Sequence, residues 1–209
     1  MTKIAVLVSG SGSNLQALID ARLSGDIVGV ICNKPEAYAL ERAQKAGIAT
    51  ALIQHKDYPT RESFDAVMHQ QLLDWNVDLV VLAGFMRILS ADFVQAWQGK
   101  MVNIHPSLLP AYKGMHTHQR VLRTGEVFHG CTVHYVTAEL DAGQALAQGV
   151  LRVQQHDHAE QLAQRVHVLE HLIYPQVVEW ICNKTIEYTA QGVLYRGKTM
   201  HQPVQFCQF

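Results

Sequence analysis

The sequence contains no CxxC pair. Its four cysteines, Cys32, Cys131, Cys182 and Cys207, lie far apart. A thiolate metal site or redox dithiol is therefore not written into it, and reduced thiols in the cytoplasm are the expectation. Long apolar runs are also missing. Ile4 to Val8 ends in a Ser/Gly loop, too short for a secretion signal. Nothing approaches the roughly 20 apolar residues of a membrane span. Charge is sparse and balanced, at 17% of residues and a net -1 at pH 7. That leaves no basic footprint for nucleic acid and no polybasic membrane patch. Repeats, low-complexity tracts and linkers are absent as well, so one domain over residues 1–209 is expected.

What is present is alternation. Ile4–Val8 and Leu79–Ala83 are compact apolar runs that suit buried strands, and Ile27–Cys32, Ala49–Ile53 and Lys100–Ile104 read as further strands. Between them, helical patterns cover Leu15–Leu23 (capped by Ser13 or Asn14), Glu36–Ala46, Arg61–Trp75 and Ser90–Trp97. Thr60 caps the third of these, with Glu62 assisting. The order βαβαβαβ predicts an α/β fold, a doubly wound, mostly parallel sheet flanked by helices. The second half reads as strands at Cys131–Val136 and Ala145–Val153 and a long helix over Asp157–Trp180, which Pro175 kinks or divides. A small C-terminal hairpin at Thr185–Tyr188 and Val193–Tyr195 follows.

The densest chemistry sits at a strand end. Asn103 and His105 are two residues apart, so both side chains share one face of the strand, and Pro106 ends its pairing. An amide beside an imidazole can polarise a carbonyl and move a proton; a hydrogen-bonded structural histidine is the plain alternative. Ser9-Gly10-Ser11-Gly12-Ser13-Asn14 follows the first strand and opens a helix, where free N–H groups and hydroxyls favour an anion such as phosphate. It lacks the Gly-Lys-Ser/Thr of a Walker loop, and Leu15 replaces the third glycine of a dinucleotide fingerprint; a tight turn without ligand is the alternative. Asp141, in Leu140-Asp141-Ala142-Gly143, serves either turn chemistry or the orientation and charging of His105. Ala83-Gly84-Phe85-Met86-Arg87-Ile88-Leu89 forms either a pocket wall for a flat ring or ordinary core. His116-Thr117-His118 and His156-Asp157-His158 lack zincin spacing and cysteine partners, so no metal is expected. The loops after Val8, Leu82 and Ile104 all leave strands at the carboxyl edge, where doubly wound sheets bind ligands.

In order along the chain, SGSGSNLQ, LAGFMRILS, NIHPSLLP, GMHTH, TVHYVTAELD and EHLIYP resemble the folate-dependent formyltransferases, particularly those acting on glycinamide ribonucleotide. The likeness covers nearly the whole chain. It implies formyl transfer from 10-formyltetrahydrofolate to that amine in purine biosynthesis, with Asn103, His105 and Asp141 as the catalytic trio. It implies that Gly12, Ser13 and Asn14 hold the ribose-phosphate end, with Glu170 near its other polar groups. It further implies that Arg61, Met86, Arg87, Ile88, Leu89, Asn103, Val136, Thr137 and Asp141 surround the folate. Lys113, Gln144 and His167 depart from the family pattern, where Pro, Pro and Gln are expected.

Formyltetrahydrofolate hydrolase and methionyl-tRNA formyltransferase share the superfamily, but those relatives carry extra domains that a 209-residue chain at net -1 is not expected to have. A non-catalytic folate- or nucleotide-binding module is the rival from another class. A monomer or weak homodimer is expected.

Overall fold

The computed structural model describes residues 1–208. Its first half alternates β1 (Lys3–Val8), α1 (Ser13–Asp20), β2 (Asp26–Cys32), α2 (Tyr38–Lys45), β3 (Ala49–Leu52), α3 (Arg61–Asp74), β4 (Leu79–Leu82), α4 (Ala91–Ala96) and β5 (Met101–His105). Then come α5 (Thr117–Thr124), β6 (Phe128–Tyr135), β7 (Ala145–Arg152), α6 (Ala159–Cys182), β8 (Ile186–Thr189), β9 (Gly192–Tyr195), β10 (Lys198–Thr199) and β11 (Val204–Gln208). The main sheet has the order β11-β7-β6-β5-β4-β1-β2-β3. β6 runs antiparallel to both of its neighbours, and the other pairings are parallel. β8, β9 and β10 form a separate antiparallel sheet.

Strand periodicity divides the core in two. Ile4, Val6 and Val8 of β1 face the layer that includes α1, α2, α5 and α6, while Ala5 and Leu7 face α3 and α4. Leu79 and Val81 repeat the first pattern on β4, and Val80 and Leu82 the second. Continuous apolar runs are what a parallel strand covered on both faces requires.

Several local expectations change. Neither Ser13 nor Asn14 caps α1: Gly12 is the N-cap, in the left-handed region at φ 72° without a side-chain cap, and the helix stops at Asp20. Only glycine fits there, because a Cβ would lie 2.7 Å from that of Ala39. The α2 helix starts at Tyr38, not Glu36. Thr60 does cap α3, but Ser63 rather than Glu62 completes the reciprocal box. Pro175 lies inside one continuous 24-residue helix. α5 and the parallel edge strand β11 were not expected from the sequence; both are short.

Tyr174 fixes α6 against the sheet. Its side chain is fully buried, and its hydroxyl donates to Leu82 O at 2.8 Å and Val102 O at 3.2 Å, at the ends of β4 and β5. Burial pushes its phenol well above the ordinary value, so it stays a donor. Tyr174→Phe keeps the ring and removes the hydroxyl that bonds both strands. A loss of about 1–3 kcal/mol in urea unfolding is expected; an unchanged midpoint would show that α6 does not depend on this contact.

Candidate active site

Val102 and Ile104 of β5 join the core under α6, so Asn103 and His105 project from the opposite face of the sheet. β6 pairs with β5 in the register Asn103↔His134 and His105↔Thr132. Four polar side chains therefore stand together on that face. The loop of residues 106–116 covers them. Thr132 Oγ1 donates to Ser107 O at 2.7 Å and accepts from Leu109 N at 3.0 Å, and Gln148 Nε2 donates to Leu109 O at 2.8 Å.

His105 is only 6% exposed. Its Nε2 lies 3.1 Å from Tyr112 O, and its Nδ1 lies 3.4 Å from Asp141 Oδ2. Both nitrogens face acceptors, and both act as donors only when the ring carries two N–H groups. Asp141 sits in the left-handed region at φ 49°, which aspartate tolerates better than most residues. Its Oδ2 also accepts the Gly114 N–H at 2.9 Å. The connection from β6 to β7 starts beside Met101, where Val136 N donates to Met101 O at 2.9 Å. It must fold back along the sheet face to bring Asp141 to His105. Thr137 supports that bend, its hydroxyl donating to Glu139 O at 3.1 Å.

His134 is a fourth member that sequence reasoning missed. Burial holds it below the ordinary imidazole value. Its Nδ1 donates to Tyr135 O at 2.9 Å, which leaves Nε2 as a lone pair. Asn103 Nδ2 lies 3.3 Å from that lone pair and donates to it. The amide is thereby oriented, with its second N–H free for an incoming carbonyl oxygen. Asp141 Oδ1 stands 3.9 Å from the same Nε2. The antiparallel register of β5 and β6 is the signal that would have found His134, and it is not readable from one strand.

At the carboxyl edge of β1, the first intrahelical bond of α1 is Gln16 N to Gly12 O, so the N–H groups of Ser13, Asn14 and Leu15 remain available to an anion. Arg42, also unforeseen, donates to Ser11 O at 2.9 Å and Gln16 Oε1 at 3.0 Å and adds a cation beside the loop. The Asn14 side chain donates to Glu170 Oε2 at 2.8 Å. Glu170 is 3% exposed and also meets His167 Nδ1 at 2.9 Å. Asn14 Oδ1 and His171 Nε2 are buried without a partner, a need that a polar ligand would meet.

A third wall is the connection from β4 to α4. Ser9 Oγ accepts Met86 N at 2.8 Å, and Asp65 Oδ2 accepts Ser90 N at 2.6 Å, pinning both ends. Between the pins, Met86 and Ile88 are 61% and 62% exposed, so they are not core. Leu89 and Val136 pack partly against the α3/α4 core. Arg87 is exposed, and Arg61 is exposed one turn before Asp65 on α3.

The family model described as formyl transferase matches residues 2–178. The chain belongs to the formyl transferase family. It is 45% identical over 201 residues to phosphoribosylglycinamide formyltransferase of Escherichia coli (strain K12), across 94% of this chain and 95% of that protein. It is also 45% identical over 194 residues to the human trifunctional purine biosynthetic protein adenosine-3, covering 91% of this chain and 19% of that protein. The chain spans 14 to 19% of the length of the trifunctional relatives it matches. A solved phosphoribosylglycinamide formyltransferase from Coxiella burnetii superposes with a TM-score of 0.94 at 44% identity, over 98% of this chain and 99% of that one.

Within this formyl transferase the two H-x-H pairs engage no metal ligand set among the described residues. His118 Nδ1 pairs with His129 Nε2 at 2.9 Å, and His158 Nδ1 faces His156 O at 3.3 Å. Among the described residues no three His, Cys, Asp or Glu side chains converge to hold a metal ion.

Burial depresses His118, His134 and His171, and takes His129 from 6.5 to about 3. Below about pH 6.5 the unfolded chain binds these protons and the folded chain resists them, so stability falls as pH falls. His167, raised by its hydrogen bond to Glu170, acts in the opposite sense but is one group against four. The urea midpoint is expected to drop steadily from pH 7.5 to pH 5, and His129→Gln should flatten that slope. A midpoint that holds or rises over this range would contradict the assignment.

Proposed function

We propose that the chain transfers the formyl group of 10-formyltetrahydrofolate to the primary amine of glycinamide ribonucleotide, a step of purine biosynthesis. The observation that carries this reading is the Asn103 amide, held by His134 with one N–H free, beside the buried His105–Asp141 pair. The Gly12–Asn14 turn suits the ribose phosphate, and Glu170 suits its hydroxyls. The exposed apolar side chains of Met86 and Ile88, with Arg61, Arg87, Leu89, Val136 and Thr137 around them, suit a flat ring system carrying an acidic tail.

The folate supplies the formyl carbon. As the uncharged amine attacks it, negative charge grows on the formyl oxygen. Asn103 donates its free N–H there, and His105 adds a second donor; one such donor is typically worth about 3 kcal/mol. In the described structure His105 Nε2 faces Tyr112 O, so substrate binding must transfer that donor to the new oxygen. Asp141 faces His105 Nδ1 at 3.4 Å and orients the ring. A proton leaves the attacking nitrogen and reaches the departing folate nitrogen, relayed by His105 or by a water that Asp141 holds. The assigned residues all come from one chain, so a monomer or weak homodimer suffices. Four free cysteines fit a reducing cytoplasm.

Folate absorbance, followed with and without glycinamide ribonucleotide, tests the proposal. Amine-dependent release is expected; equal release without the amine would mean a hydrolase, and none a binding module. Asp141→Asn and His105→Ala should each lower turnover by roughly 100-fold or more, with circular dichroism unchanged. Near-normal turnover in either variant would remove that residue from the mechanism.

A further inference from the structure

His167 projects from α6 one turn before Glu170, with its side chain 52% exposed. Its Nδ1 meets Glu170 Oε2 at 2.9 Å, the same oxygen that accepts the Asn14 amide at 2.8 Å. Asn14 belongs to the anion turn, so the charge state of this pair is felt where a phosphate would sit. A buried carboxylate facing an anion site repels its ligand unless a cation balances it. His167 is the titratable cation in direct contact with Glu170.

The neighbours do not substitute for it. On α6, His171 lies stacked on His167, with ring centroids 6.3 Å apart and planes 19° apart. Burial depresses His171, and likewise His118 of α5, so both are neutral where His167 is charged. Arg42 of α2 faces Ser11 and Gln16 as a fixed cation. His105 of β5 faces its own partner, Asp141, at 3.4 Å. The hydrogen bond to Glu170 raises His167 from its ordinary value, so it holds its charge to higher pH than its two histidine neighbours.

We propose that His167 is a specificity and positioning residue that makes ribonucleotide affinity fall as pH rises, by supplying or withdrawing the countercharge to Glu170 at the anion turn. This rests on the function proposed above and adds to it a pH response at the phosphate end.

Calorimetry of glycinamide ribonucleotide, without folate, is run from pH 5.5 to 8.5 on the parent, His167→Gln and His167→Arg, with ribose 5-phosphate as a second probe. The substrate's own phosphate and amine titrate too, but they cancel in the ratio of variant to parent. The Kd ratio for His167→Gln should be roughly five- to tenfold at pH 5.5 and approach one at pH 8.5. His167→Arg, always charged, should bind more tightly than the parent at pH 8.5. In steady-state kinetics the effect should fall on the KM for the ribonucleotide and not on kcat. A Kd ratio independent of pH, or an equal effect on kcat, overturns the role of His167. If the parent binds ribose 5-phosphate with the expected pH response but not the ribonucleotide, His167 stands and the proposed substrate fails. Binding of neither overturns both.

Discussion

The carboxylate of Asp141 joins three segments that the chain delivers separately. It accepts the Gly114 N–H, faces His105 Nδ1 at 3.4 Å, and stands 3.9 Å from His134. These partners come from the loop of residues 106–116, the end of β5 and the end of β6. A buried carboxylate is tolerated only when such donors surround it. Removing its charge would weaken its hold on the Gly114 N–H and on His105 Nδ1.

The sheet makes this meeting possible. β1, β4 and β5 are parallel neighbours, so their three loops leave at one edge. β6 turns antiparallel and brings Thr132 and His134 beside His105 and Asn103. On the other face, Tyr174 ties α6 to the ends of β4 and β5, and Glu170, one turn earlier, reaches Asn14. One helix thus connects the Gly12–Asn14 turn with the strand that carries Asn103 and His105. A polar stripe on an otherwise apolar sheet is stable here because the backbone of the proline-containing loop satisfies Thr132 and Gln148.

Much of this is legible in the sequence. The period of β1 and β4 announced strands covered on both faces, and the two-residue spacing of Asn103 and His105 put them on one face. Thr60 was recognisable as a cap. What was not readable depended on register and on long-range partners. His134 and the fold-back of Asp141 depend on an antiparallel pairing that β6 alone does not advertise. Asn14 looked like a cap, but its amide bonds Glu170, 156 positions away. Pro175 looked like a break, yet tertiary packing on both sides keeps α6 continuous: Pro175, Tyr174 and Val177 are all buried. Arg42 gave no local signal, since its role comes from how α2 lies against α1.

The central claim is that His105 and Asp141 act as one unit in formyl transfer. A double-mutant cycle on kcat, with His105→Ala, Asp141→Asn and the pair combined, tests it most directly. The account predicts strong non-additivity, with the double variant little slower than the worse single one. Losses that multiply as independent factors would contradict it.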